Sequence, residues 1–220
     1  MYVLAAAALI ACACQGWTLP TLLLGWFIVA SLVSAEWIYE KSGLHQMQWL
    51  VDNVQSPTKI VVACAGYDEL QGRVSTAFPN AQVQFVDFYN ALPKREKSIE
   101  RARKFGTAPQ RPVSENFCNW PVQNVNLVLV AFAAHELRDE QSRTSLLKEA
   151  ASKLAPEGII VVVEQLRDVS NLLAFGPGFL HFYSRGQWLK DFAASGLRIK
   201  RELKLSPFAT VFVLCKTNES

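Results

Sequence analysis

Two histidines and one glutamate are the residues of this sequence best suited to move a proton. His135 and Glu136 directly follow an apolar, β-branched run, and His181 lies in the apolar, aromatic segment 171–185. An imidazole titrates near neutral pH, so histidine is the usual general base where a hydroxyl must lose its proton. We therefore take His181, His135 and Glu136 as catalytic candidates. In the structural alternative, His135 caps a helix and Glu136 pairs with Arg138.

A second group of candidates forms the loop after the apolar run 59–64. This loop contains Cys64, Ala65, Gly66 and Asp68. A glycine at such a place lets the backbone approach a ligand closely. A single glycine also suits an ordinary strand-to-helix turn, so the pattern alone leaves both interpretations open.

Asp87 ends the next apolar run, about 20 residues beyond Gly66. A carboxylate at the end of a strand can accept hydrogen bonds from both hydroxyls of a ribose. This spacing suits more than one kind of nucleotide-like cofactor. The structural alternative for Asp87 is a capping residue in a turn.

These candidates need a scaffold, and the sequence predicts alternating strands and helices. Short β-branched runs indicate strands, and apolar residues at helical spacing indicate helices. The predicted strands are 59–64, 83–87, 126–132 and 159–163, and the predicted helices are 68–78, 94–105 and 139–154. Such alternation is typical of an α/β fold with a parallel sheet, which binds ligands beyond the carboxyl ends of its strands.

The end of the chain departs from this alternation. The last two predicted strands, 197–205 and 208–215, are joined only by Ser206 and Pro207. So short a connection forces the two strands to run antiparallel. The sequence therefore predicts a Rossmann-like, doubly wound sheet that is mostly parallel and ends in an antiparallel β-hairpin.

The first 35 residues carry no charged side chain. As one helix they would extend about 52 Å, against a hydrocarbon core of about 30 Å, so we expect a helical hairpin or a single membrane span. A buried helical pair of a soluble protein is the alternative. The predicted organisation is a membrane anchor over 1–38, a connecting helix over 39–56 and a globular domain over 57–220 in the cytoplasm.

Charge and cysteine content narrow the classes of partner. The net charge of +3 gives no reason to expect nucleic acid. The five cysteines include no C-x-x-C pair and the three histidines are far apart, so the sequence predicts no metal site. The cysteines are better explained as free, mostly buried thiols of a protein in a reducing compartment than as metal ligands.

Taken together, these features resemble the class I S-adenosylmethionine-dependent methyltransferases. The strand, glycine loop, helix, acid-ended strand and terminal hairpin occur in that order. Trp120-Pro121 resembles the family's turn before the strand 126–132, and Leu147–Val163 resembles its helix, Pro-x-Gly turn and following strand. The resemblance covers about residues 57–215.

The resemblance implies S-adenosylmethionine as the cofactor. It implies that the loop from Cys64 to Asp68 and the Asp87 carboxylate hold this cofactor, with Phe88 against the adenine. It further implies that Asn116 and Phe117 recognise the adenine by hydrogen bonding and stacking. Phe132 and the residues after it would then lie where the methyl group meets the acceptor.

We therefore predict methyl transfer to an apolar small molecule or a lipid-like acceptor at the membrane surface, with the segment 171–185 as a substrate lid. Cys64 and Asp68 stand where the family has two further glycines, so a catalytically degenerate binding or assembly protein is an alternative. A nucleotide-dependent oxidoreductase is a further alternative, although the sequence lacks its G-x-G-x-x-G loop.

Overall fold

The computed structural model describes residue 10 and residues 14–70, 72–93, 99–101, 103 and 112–217. The strands are β1 (Lys59–Cys64), β2 (Gln82–Asp87), β3 (Val125–Ala131), β4 (Leu154–Gln165), β5 (Leu197–Lys204) and β6 (Ala209–Lys216). The α-helices are α1 (Thr18–Glu36), α2 (Gln48–Val51), α3 (Arg73–Ala77), α4 (Glu140–Lys153), α5 (Val169–Phe175) and α6 (Arg185–Ala194). Short π- or 3-10-helical turns are Trp37–Lys41, Leu44–Gln46, Phe88–Ala91, Ala134–Glu136 and Gly176–His181.

The strands form one sheet in the order β2-β1-β3-β4-β6-β5. The first four strands in this order run parallel to one another, whereas β6 runs antiparallel to both β4 and β5. The α/β class, the mostly parallel sheet and the terminal antiparallel hairpin are confirmed. Because the chain moves from β1 outward to β2 and then back to β3, the strand order reverses between β1 and β3, where α/β sheets bind ligands.

Apolar side chains cover both faces of the sheet. Val61 and Ala63 of β1 belong to one buried cluster, and Ile60 and Val62 belong to the other. Burial on both faces removes any need for polar residues at alternate positions, which explains the nearly unbroken apolar runs of the central strands.

Helix α1 lies against α5. The indole N–H of Trp26 donates a hydrogen bond to the carbonyl of Leu173 at 3.1 Å, and the Ser31 hydroxyl donates to the carbonyl of Ala174 at 3.0 Å. The N-terminal apolar segment is therefore joined to the globular domain by specific polar contacts.

Among the described residues, one helical segment is long and apolar enough to cross a membrane, Thr18–Gln46, near the N-terminus. Only 6% of its most apolar window is buried inside the protein. The first part of the predicted anchor, over residues 2–14, lies almost entirely outside the described residues.

The connecting helix predicted over 39–56 is not a single helix. The π-helical turn Trp37–Lys41 extends α1, and the chain then breaks at Gly43, whose φ of 78° is readily available to glycine. Only Gln48–Val51 returns to α-helix. Leu44 is fully buried in the core, so this segment packs as part of the globular domain.

The helix predicted over 68–78 is also shorter in the structure. The Asp68 carboxylate accepts hydrogen bonds from the N–H groups of Leu70 at 3.0 Å and Gly72 at 2.7 Å. This side-chain-to-backbone turn replaces the first helical turns, and α3 begins only after it. The predicted helix over 94–105 lies largely outside the described residues.

Candidate active site

A cavity of about 440 Å³ opens beyond the carboxyl ends of β1, β3 and β4. Its apolar and aromatic lining residues are Tyr39, Ala65, Tyr67, Ile99 and Phe132, and its polar lining residues are Glu69, His135, Glu136 and Gln165. A volume of about 300–1,000 Å³ is typical of small-molecule sites. The position and the size of this cavity are those of a ligand site in an α/β protein.

The three predicted catalytic residues meet in one cluster. His135 Nδ1 lies 2.8 Å from Glu164 Oε2, and His135 Nε2 lies 3.3 Å from Glu136 Oε1. His181 Nε2 lies 3.6 Å from the same Glu136 oxygen. His135 and Glu136 line the cavity, and His181 contacts Glu136.

The carboxylates of this cluster control its protonation. Burial alone would lower the pKa of His135, but the charges and hydrogen bonds of Glu164 and Glu136 outweigh burial and raise it to about 10. Burial alone would raise the pKa of Glu136, but hydrogen bonds from His135 and His181 outweigh burial and lower it to about 2. At neutral pH, His135 is therefore a proton donor to two carboxylates.

Arg138 does not pair with Glu136, contrary to the structural alternative. Its guanidinium donates hydrogen bonds to the backbone carbonyls of His135 at 3.1 Å and His181 at 2.8 Å. These bonds tie together two loops that are distant in the sequence, and they hold the two histidine-bearing segments side by side.

Ala65 and Phe132 are the two cofactor candidates that line the cavity. Phe132 follows β3 with a φ of 49°, and its N–H donates to the carbonyl of Val163 at 2.8 Å. Bulky residues rarely adopt this left-handed conformation, and strained backbone of this kind concentrates at functional sites.

Other side chains of the protein occupy the positions beside Asp87 and Gly66. Arg103 Nη1 lies 2.7 Å from Asp87 Oδ2 and 3.1 Å from the carbonyl of Gly66. Asp87 Oδ1 accepts the N–H of Tyr89 at 3.1 Å. A Cβ on Gly66, whose φ is 96°, would come within 2.8 Å of the Tyr89 ring. Asp87 ends its strand as predicted, but Arg103 contacts the oxygen that a ribose would need.

Three further cofactor candidates lie outside the cavity. The Cys64 thiol donates to the carbonyl of Val86, and burial, together with the Asp87 charge, raises the pKa of the thiol. Asp68 is engaged in its own turn. Phe88 is fully buried in the core rather than beside a ligand.

Asn116 and Phe117 lie in the loop before β3, away from the cavity lining. Asn116 is exposed, and its carbonyl accepts the indole N–H of Trp120 at 3.0 Å. Phe117 is half-buried and packs against the core. Their roles in adenine recognition stay predictions, and this arrangement would have to change for either residue to reach the cavity.

Among the cavity residues that sequence reasoning missed are Tyr39 and Glu69. They share a hydrogen bond, and burial raises the pKa of Glu69 to about 7. Tyr39 belongs to the turn that extends α1, so only the folded chain brings it to the ends of the strands.

No protein-family profile matches the sequence, and no curated protein is significantly similar to it. Solved structures match its fold. The pyocyanin biosynthetic protein PhzM superposes with a TM-score of 0.58 and 17% identity, over 80% of this chain and 55% of PhzM. An S-adenosylmethionine-dependent methyltransferase from Aquifex aeolicus superposes with a TM-score of 0.58 and 13% identity, over 83% of this chain and 96% of that protein. The chain has the fold of the S-adenosylmethionine-dependent methyltransferases.

The O-methyltransferase NcsB1 of neocarzinostatin biosynthesis has the same fold. It was solved with S-adenosylmethionine and 2-hydroxy-5-methyl naphthoic acid, and it superposes with a TM-score of 0.54 and 14% identity. The match covers 84% of this chain and 58% of NcsB1. The chain thus spans just over half the length of both PhzM and NcsB1.

Proposed function

We propose that this protein transfers a methyl group from S-adenosylmethionine to a hydroxyl of an apolar small molecule or lipid-like acceptor at a membrane surface. The observation that carries the proposal is the cavity at the carboxyl ends of the strands. Ala65 and Phe132, which we assign to the cofactor, line the same cavity as His135 and Glu136, which we assign to the acceptor. The fold similarity to methyltransferases supports the same assignment.

The residues around the cavity fit this cofactor in two respects and depart in two. The cavity has the size of a small-molecule site, and Asp87 ends β2 beside the end of β1. The departures are the Tyr89 ring, which packs on Gly66, and Arg103, which must release Asp87 before a ribose can bind. The Arg103 side chain is 30% exposed, so it can turn toward solvent without disturbing the core. We propose that Ala65, Phe132 and the released Asp87 hold the cofactor.

The bound cofactor supplies an electrophilic methyl group. The chain itself must orient the acceptor hydroxyl and take its proton. We assign proton acceptance to the cluster of His135, Glu136 and His181. Because His135 carries a proton between two carboxylates, His181 is the member of the cluster that we propose as the base.

The apolar surface of α1 supports action at a membrane. Large apolar side chains are exposed along this helix and on the neighbouring α5 segment: Trp17, Leu19, Leu22, Leu23, Trp26, Val29, Leu32, Val33, Val169 and Leu173. We call these residues the apolar face. We propose that the apolar face enters the lipid bilayer and that the globular domain lies on the cytoplasmic side.

A second candidate function is a methyltransferase fold that binds a partner without catalysing. The specific observations in its favour are the ion pair between Arg103 and Asp87 and the Tyr89 ring packed on Gly66. The oxidoreductase hypothesis rests on Asp87 alone, and none of the three structures compared above is described as an oxidoreductase.

The deciding experiment is a thermal unfolding series on the full chain in detergent. Saturating S-adenosylhomocysteine is expected to raise the Tm of the wild type, since a ligand that binds only the folded state stabilises it by mass action. The variant Asp87→Asn is expected to lose most of this shift. An unchanged wild-type Tm favours the binding protein, and a shift with NADH instead favours the oxidoreductase.

Turnover is then tested with labelled S-adenosylmethionine and a set of apolar alcohols and phenols. His181→Asn is expected to lower kcat by about 100-fold, a common contribution of a general base, while the affinity for S-adenosylhomocysteine stays unchanged. Equal loss of cofactor affinity would show that His181 is structural rather than catalytic.

A further inference from the structure

Three potential metal ligands converge beside the cavity. His135, Glu136 and His181 each offer one ligand atom, and these atoms all lie within 4.8 Å of one another. The nearest pairs are His135 Nε2 with Glu136 Oε1 at 3.3 Å and His181 Nε2 with the same oxygen at 3.6 Å. The sequence predicted no metal site because His181 is far from the other two along the chain.

The two shorter separations are close to the ligand spacing of a zinc site. Ligand atoms about 2.0–2.1 Å from Zn²⁺ in tetrahedral geometry lie about 3.3 Å from one another. A small adjustment of the partly exposed His181 side chain would bring all three atoms to that spacing. Two histidines with one carboxylate are also a known protein ligand set for catalytic zinc.

Glu164 provides an independent indication. Its fully buried carboxylate lies 2.8 Å from His135 Nδ1, and its other oxygen lies 3.3 Å from the His135 backbone nitrogen. This contact fixes the imidazole ring with Nε2 directed at Glu136 and His181. Metal-bound histidines almost always make such a contact through their second nitrogen, because it sets the tautomer and the ring orientation.

The charge of the cluster also favours a cation. Glu136 and Glu164 are both buried, and once a metal ion has displaced the proton that His135 shares with them, their two negative charges are largely removed from water. Such charges are costly without compensation. One divalent cation would balance both, whereas a monovalent ion would balance only half.

We propose that His135, Glu136 and His181 bind one divalent transition metal ion, and that Zn²⁺ is the ion that fits best. Because His135 and Glu136 line the cavity, the fourth coordination position would face it and take an oxygen of water or of the acceptor. That the acceptor binds the metal rests on the proposed function. In that reaction the metal would activate the acceptor hydroxyl, in place of His181 acting as the base. Metal binding itself does not depend on methyl transfer.

The test is a Co²⁺ titration of the chelator-treated full chain in detergent, followed by its visible absorption. We expect one equivalent of Co²⁺ to give a saturable tetrahedral spectrum that Zn²⁺ abolishes. His181→Ala and Glu136→Ala are expected to lose the signal. Glu164→Gln is expected to weaken binding by about 10- to 100-fold, as for other residues that orient a ligand.

The matched control is His45→Ala, which removes a histidine whose ring contacts the carbonyl of Glu69 rather than the cluster. It is expected to bind Co²⁺ like the wild type, and circular dichroism checks that every variant is folded. The proposal is overturned if the wild type shows no saturable signal, or if His45→Ala loses as much as His181→Ala.

Thermal shifts with S-adenosylhomocysteine on the same metal-free samples separate the two proposals. A cofactor shift without Co²⁺ binding overturns the metal site and leaves the proposed function in place. Co²⁺ binding without a cofactor shift overturns the proposed function and supports the metal site.

Discussion

Arg103 and a cofactor ribose would compete for the same carboxylate oxygen of Asp87. Arg103 Nη1 lies 2.7 Å from that oxygen, and its guanidinium lies 4.8 Å from the centre of the Tyr89 ring. The Arg103 side chain is 30% exposed although Asp87 is buried, so the ion pair contributes on the order of 1 kcal/mol. A cofactor that binds with micromolar affinity gains about 8 kcal/mol and can displace it.

Replacing Arg103 is therefore expected to strengthen cofactor binding. Arg103→Ala frees Asp87 without a competing partner, so S-adenosylhomocysteine is expected to bind about 2- to 5-fold more tightly in titration calorimetry. The exposed neighbour Arg101 serves as the control, since Arg101→Ala removes the same charge without touching Asp87. Weaker binding by Arg103→Ala would instead make Arg103 part of the cofactor site.

Ionisation of Glu69 makes the stability of the folded protein depend on pH. Burial raises its pKa from 4.5 to about 7 in the folded state, so folding favours the neutral carboxyl. This contribution to stability is fully present below pH 4.5 and is lost as the pH rises through 7. The shift corresponds to roughly 1–3 kcal/mol.

Glu69→Gln removes this ionisation and is nearly isosteric. Between pH 5 and pH 8.5, the free energy of unfolding is therefore expected to fall less in the variant than in the wild type, by roughly 1–3 kcal/mol. Urea unfolding of both proteins in the same detergent measures the difference. Parallel pH profiles would mean that the Glu69 carboxyl is as well solvated in the folded state as in the unfolded chain.

At the scale of elements, the contact of α1 with α5 depends on a glycine. Gly176 follows α5 with a φ of 54°, and a Cβ there would come within 2.8 Å of the Phe27 ring on α1. Both the backbone conformation and the close approach exclude a larger residue. The apolar helix and the globular domain are thus closely packed at Gly176.

Gly176→Ala is expected to destabilise the protein by roughly 1–3 kcal/mol, because alanine is strained at this φ and displaces Phe27. Gly178→Ala is the matched control, since a Cβ at Gly178 meets only Phe175 at an ordinary 3.8 Å. Thermal unfolding of both variants measures the difference. Equal Tm values would show that α1 does not depend on this contact.

The strands could be predicted from the sequence because burial on both faces leaves a simple pattern. β1 and β3 are nearly continuous β-branched and apolar runs, and the structure places them within one residue of the prediction. The helix at 68–78 was predicted too long because the Asp68 carboxylate competes for the backbone N–H groups of Leu70 and Gly72. Helical spacing does not reveal that competition.

The candidate site was only partly predictable for a related reason. His135 and Glu136 follow a strand, and that position identified them. Their contact with His181 and Glu164 depends on how loops from different strands pack, which no local spacing encodes. The ion pair between Arg103 and Asp87 is likewise a tertiary contact that no local spacing encodes.

At the scale of the whole molecule, the apolar helix α1 is connected to the cavity in two ways. The turn that extends α1 carries Tyr39 into the cavity, and α5, which α1 contacts, leads directly into the turn that carries His181. A bilayer that holds α1 would therefore also fix the position of the cavity relative to the lipid surface. This connection favours an acceptor that reaches the site from the membrane.

Membrane attachment through the apolar face can be tested by introducing charged side chains into it. Leu22 and Val29 are 70% and 60% exposed and lie about two turns apart on α1, with Val29 near its middle. A lysine near the centre of a membrane helix costs about 2.5–3.5 kcal/mol, so the double variant Leu22→Lys, Val29→Lys is expected to leave liposomes for the soluble fraction in a flotation assay. Lysines at the exposed positions Asn80 and Gln82 are the control for added charge and are expected to leave binding unchanged. If both variants float with the liposomes like the wild type, α1 does not hold the protein on the membrane and the proposed attachment is wrong.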